Sequence, residues 1–187
     1  MRNLTYSIVL LLIFVFSSCS DRARISRQYV EFTSNNIVFP SAFQKVESGQ
    51  VGISDACPDI PIMILYNDSL SCSLCQINHL HDRIPIYEHA DSLGTYMVMT
   101  ILSPKPEEYC DVILALQVRE FDFPVYVDHS GDFRRLNKCI PEDQRFHYFL
   151  IDRERKPVFV GDPLASTTLW DLFCKVLDNI DKKEENE

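Results

Sequence analysis

The stretch Ile60-Pro61-Ile62-Met63-Ile64-Leu65-Tyr66-Asn67-Asp68-Ser69-Leu70-Ser71-Cys72-Ser73-Leu74-Cys75 decides the fold class of this chain. From Ile60 to Tyr66 it is a near-continuous apolar run of strand length, the pattern of a β-strand buried on both faces. Asn67-Asp68-Ser69 breaks the strand. A helical pattern then runs from Cys72 to about His89, where Leu74, Ile77, Leu80 and Ile84 recur at helical spacing. Pro85 lies inside that segment and is expected to kink or end the helix.

The alternation continues outward. Residues 96–102 (Tyr-Met-Val-Met-Thr-Ile-Leu) read as a second buried strand. Pro104 and Pro106 precede a helix from Glu107 to about Arg119, with Glu107 and Glu108 in its first turn, where the helix dipole favours them. Residues 125–127 form a short strand, stopped by Asp128-His129-Ser130-Gly131. Residues 148–151 and 158–160 flank the polar 152–156 and read as an antiparallel hairpin. A last helix over about 167–180 carries a broad apolar stripe of Leu169, Leu172, Phe173, Val176, Leu177 and Ile180. Upstream, residues 36–39 suggest a short strand, and 41–58 show no period and read as loop. The element order predicts an α/β fold: one mixed central sheet with helices on both faces, a three-layer sandwich.

The first residues read as an address. Arg2 is followed by nine unbroken apolar residues, Ile8 to Phe16, too few for a membrane-spanning helix of about 20 and of the length of a secretory signal core. Ser17-Ser18-Cys19 comes at once and resembles a bacterial lipobox, in which the chain is cut before the cysteine and that cysteine takes the lipid, palmitate included. The expected organisation is a leader over 1–18, lipid attachment at Cys19, a polar tether over 19–34, a domain over 35–181 and a charged tail over 182–187. Such a chain resides in the cell envelope, anchored to a membrane, in a compartment where disulfides persist.

With 18 Lys+Arg against 27 Asp+Glu, the net charge of −9 excludes nucleic acid as a partner, since phosphate binding needs a basic face. The 187 residues allow one domain, and five glycines exclude glycine-rich low-complexity chains. Seven cysteines become six once Cys19 is assigned to lipid: Cys57, Cys72, Cys75, Cys110, Cys139 and Cys174.

Cys72 and Cys75 carry the candidate chemistry. Two cysteines one turn apart at the start of a helix suit redox work, because unpaired backbone N–H groups there favour a thiolate on the first, which becomes the nucleophile. The second closes a disulfide or resolves a mixed one. Ser69 and Ser71 are candidate helix caps.

With this motif in place, the chain over roughly 58–180 resembles the thioredoxin-like superfamily, and among its members the membrane-tethered thioredoxins of the bacterial envelope. Phe123-Pro124-Val125-Tyr126-Val127-Asp128 with Gly131, then Phe149-Leu150-Ile151-Asp152 and Val158-Phe159-Val160-Gly161, carry the likeness. The resemblance implies thiol-disulfide exchange on protein thiols or disulfides, with Cys72 and Cys75 catalytic and no cofactor. Two positions depart from the family pattern. Ser71 stands where an aromatic precedes the first cysteine. Phe146 stands where the family has a cis-proline facing the disulfide, and is expected to be trans, since a non-proline cis bond costs about 2.5–4 kcal/mol.

Two other readings stay open. Cys72, Cys75 and His79 fall on one helical face and, with His81 or His147, would make a Cu(I) or Zn(II) site. Alternatively the fold is a binding module with an inert disulfide. Cys110 and Cys174 read as buried thiols, and Cys57 and Cys139 as loop cysteines that are candidates for a structural disulfide or for accessory redox partners. His79, His81, His89 and His129 read as ordinary side chains, Trp170 as packing, and the 128–131 turn as no catalytic triad.

Overall fold

A computed structural model of the chain describes residues 21–54 and 58–184. Seven strands make one mixed sheet: β1 (Phe43–Glu47), β2 (Gln50–Ser54), β3 (Ile62–Asn67), β4 (Met97–Leu102), β5 (Val125–Val127), β6 (Tyr148–Ile151) and β7 (Pro157–Val160). Their order is β2-β1-β5-β4-β3-β6-β7. β3, β4 and β5 run parallel at the centre, and the antiparallel pairs β1–β2 and β6–β7 form the two flanks. All six residues of β3 are buried, as its uninterrupted apolar run requires.

Side chains alternate between two cores. Met63, Leu65, Val98, Val125 and Leu150 face one, beneath α3 (Ile84–Leu93), α4 (Tyr109–Arg119) and α6 (Thr167–Glu184). Ile62, Ile64, Tyr66, Met99, Tyr126 and Phe149 face the other, covered by a helix over 21–33 (α1) and by α5 (Asp132–Leu136). The expected three-layer α/β sandwich is therefore the observed one.

Three local expectations change. The stretch 19–34, expected as a polar tether, is helical over 21–33, and Phe32 near its end is fully buried, with its ring 5.0 Å from Phe149 and 6.2 Å from Phe146. Phe32, with Ile25 packed against the same core, docks the segment although its composition is largely polar. Residues 43–54, read as loop, form the β1–β2 hairpin instead. Ser48 and Gly49, at φ 46° and 72°, supply the two positive-φ positions of a two-residue hairpin turn. Gly49 also needs its missing Cβ, since one would lie 3.0 Å from the Gln117 carbonyl of α4. Residues 36–39, read as a strand, are irregular.

The helix expected from Cys72 to His89 is divided. α2 (Ser73–Asn78) ends at His79, a 3-10 turn covers Leu80–Arg83, and α3 begins with Pro85 in its first turn. Proline opens a helix here rather than kinking one, because its missing N–H costs nothing at that position. No helix among the described residues is long and apolar enough to cross a membrane. The expectations for the leader, for Cys19 and for Cys57 lie outside the described residues.

Candidate functional site

Strand β3 delivers the chain to the carboxyl edge of the sheet, and Asp68 shapes the loop that leaves it. The buried Asp68 carboxylate accepts from the backbone N–H of Leu70 and Ser71 and from the Ser71 hydroxyl, each at 3.1 Å. This turn sets Cys72 as the N-cap of α2, the place expected for a serine. Ser71 is committed to Asp68, and the Cys72 sulfur itself takes the backbone N–H of Cys75 at 3.2 Å.

Cys72 and Cys75 form a disulfide with Cα atoms 5.2 Å apart, and both residues are exposed. Between them Ser73 turns inward, 1% exposed, and its hydroxyl has no hydrogen-bond partner among the described residues.

The loop before β6 packs beside the disulfide loop. The Gln144 side-chain amide donates to the Ser71 hydroxyl at 3.3 Å, and the Tyr66 N–H donates to the His147 carbonyl at 2.9 Å. No cis peptide bond occurs among the described residues, so Phe146 is trans as expected. It points away from the disulfide into the second core, against Phe32. His147 is buried, its Nε2 lies 3.0 Å from the Pro141 carbonyl, and burial pushes its pKa below the ordinary histidine value.

The residues of the metal reading have other partners in this structure. The His79 Nδ1 lies 2.8 Å from an Asp82 carboxylate oxygen, at the far end of α2 from Cys72. His81 packs edge-on against Phe121 and His147 is tied to Pro141. No three His, Cys, Asp or Glu side chains among the described residues converge to hold a metal ion. His79 stands just past the end of α2, as its C-cap, and its ring is taken by Asp82.

The other cysteines are free thiols where described. Cys110 is exposed in the first turn of α4, against the expectation of burial, since Val112 and Leu116 take the inward face. Cys139 and Cys174 are partly buried, and desolvation raises both thiol pKa values. Trp170 packs on His89 and Phe173, and His129 stacks on Tyr109 at 4.1 Å. Asp68, Gln144 and Arg134, which lines a cleft together with Asp68, are residues that sequence reasoning missed. An Asp three residues before a serine in a turn was the available signal for Asp68. Nothing local pointed to the other two.

No family model matches the chain, and no curated protein does. Solved structures do. AhpC of Enterococcus faecalis aligns with a TM-score of 0.50 at 15% identity, over 82% of this chain and 95% of its own. An uncharacterised thioredoxin-like protein of Porphyromonas gingivalis aligns at 0.44 and 17%, over 79% and 95%. The exposed lipoprotein thioredoxin Etrx1 of Streptococcus pneumoniae aligns at 0.43 and 20%, over 74% and 99%. The chain has a thioredoxin-like fold.

Proposed function

We propose that the chain is a thiol-disulfide exchange protein acting on protein thiols or disulfides of the cell envelope, with Cys72 as nucleophile and Cys75 as resolving cysteine. The observation that carries this reading is the Cys72 sulfur capping α2 while bonded to an exposed Cys75. An N–H that meets the sulfur stabilises the thiolate form that attacks once the disulfide is reduced.

In the reductive direction, the Cys72 thiolate attacks one sulfur of a substrate disulfide and expels the other as a thiolate. The Cys75 thiolate then attacks the Cys72 sulfur, closes the internal disulfide and releases the second substrate sulfur. Two electrons pass to the substrate, its two thiolates take up two protons, and no cofactor is needed. The reverse sequence oxidises a substrate dithiol, and the reduction potential sets the direction.

Thiol trapping during a glutathione titration tests the reading. A reversible couple between about −120 and −270 mV, abolished in Cys72→Ser, supports exchange. The absence of a reversible couple sinks it and leaves a binding module with a fixed disulfide.

Export and lipid attachment at Cys19 belong to the same proposal, supported by the apolar run before Ser17-Ser18-Cys19. Radiolabelled palmitate should enter the wild-type chain and not Cys19→Ala, and the protein should fractionate with membranes. Equal labelling of both, or of neither, would remove the anchor.

A further inference from the structure

We propose that a cleft beside the disulfide loop binds an acidic side chain of the substrate polypeptide, with Arg134 as its anchor; this rests on the exchange reading above. The cleft has a volume of about 420 Å³ and lies at the carboxyl ends of the parallel strands β3, β4 and β5. The three loops leaving those strands wall it at Asp68–Leu70, Ser103–Pro104 and His129–Gly131. That edge is where open α/β sheets take ligands.

Arg134 sets the chemistry. It is partly buried, it lines the cleft from α5, and its one hydrogen bond among the described residues goes to the Ile140 carbonyl. Its neighbour on α5, Arg135, pairs with Asp132 at 2.6 Å, and Arg145 pairs with Asp143 at 2.5 Å. Arg134 thus has no carboxylate partner among the described residues, and with Nη1 on the Ile140 carbonyl it keeps further N–H donors for a carboxylate.

The cleft's own acids do not fill that role. One Asp68 oxygen is held by the loop amides, and Glu142 is exposed. With a cation on one side and carboxylate acceptors on the other, the cleft suits an extended peptide, which brings backbone N–H donors as well as an acidic side chain. Leu70 forms part of the wall and is 77% exposed, so an apolar surface is available to the rest of the peptide. From Leu70 to Cys72 the chain spans at most about 7 Å, so a peptide whose cysteine meets Cys72 reaches the cleft two or three residues away.

The test uses two peptides, each a single cysteine activated as its 2-thiopyridyl disulfide, that differ only in Glu or Gln three residues from the cysteine. Stopped-flow release of thiopyridone by the reduced protein gives the rates. Wild type should favour the Glu peptide by about tenfold, the scale of a partly exposed charge-assisted pair. Arg134→Gln should erase that preference, so that its Glu- and Gln-peptide rates become equal. Arg134→Lys should keep part of it, and Lys175→Gln, on α6 across the sheet, should keep all of it. Equal wild-type rates, or equal loss of preference in Lys175→Gln, would overturn the proposal. If neither peptide reacts, exchange itself fails. The cleft is then judged by fluorescence anisotropy with serine in place of the peptide cysteine, and binding without an Arg134-dependent preference for Glu overturns it.

Discussion

Phe146, in the turn before β6, fills the second core with its ring at 3% exposure. Phe146→Ala should therefore cost about 3–5 kcal/mol in urea unfolding, a core penalty rather than a redox effect. Ser73 makes the opposite case. Its buried hydroxyl has no partner among the described residues, so Ser73→Ala should leave stability unchanged or raise it by about 1 kcal/mol. A loss of more than that would mean the hydroxyl is satisfied in solution. His147 carries the pH dependence. Burial keeps it neutral in the fold, with Asp68 and Asp143 opposing that effect and Arg134 reinforcing it. The unfolded chain takes up its proton below about pH 6.5, so stability is full above that value and falls as pH drops towards the depressed pKa. Urea midpoints from pH 7.5 to 5 should show the decline, and His147→Gln should flatten it, leaving the smaller share of His89, whose pKa burial also lowers.

At the scale of elements, the site depends on how short α2 is and on the turn ahead of it. Asp68→Ala removes three hydrogen bonds that hold the loop before Cys72. It should cost about 1–3 kcal/mol and shift the Cys72–Cys75 potential, read in one glutathione titration. The other end of the helical segment is set by backbone conformation. Gly94 closes α3 in the left-handed region at φ 68°, and a Cβ there would meet no atom within 4 Å. Gly94→Ala should consequently lose about 1 kcal/mol from conformation alone, measured by thermal unfolding. The helical period from Leu74 to Ile84 was legible as one helix, yet the chain makes two with a 3-10 turn between them. Of the four residues in that period, Ile77 and Leu80 are buried and Ile84 packs against the same core across the break, while Leu74 is 40% exposed.

At the scale of the molecule, the sheet is closed on both faces only when α1 is in place. Phe32 sits edge-on to Phe146 and Phe149, the residues that lead from the disulfide-side loop into β6. Phe32→Ala should cost about 3–5 kcal/mol and make the loop around Gln144 more open to proteolysis. A second tie links the α2–α3 turn to the last helix. The Arg83 guanidinium pairs with Asp162 and lies 5.0 Å from the centre of the Tyr148 ring, bridging the start of α3 to the segment before α6. The polar composition of 19–34 masked the first of these ties, although Ile25, Tyr29 and Phe32 fall at helical spacing. The second joins residues 79 apart and has no local signature.

The sequence by itself determined the parallel core of the sheet, the placing of two cysteines after its first parallel strand, and the later hairpin and final helix. Those features are written in runs of apolar residues whose spacing must match strand or helix geometry whatever surrounds them. Tertiary structure alone decided that Cys72 rather than a serine caps α2, that His79 turns to Asp82 and away from the sulfurs, that Phe146 belongs to a core, and that Arg134 opens on a cleft. Each depends on where a side chain ends in space relative to residues far off in the chain. Spacing along one element does not encode that.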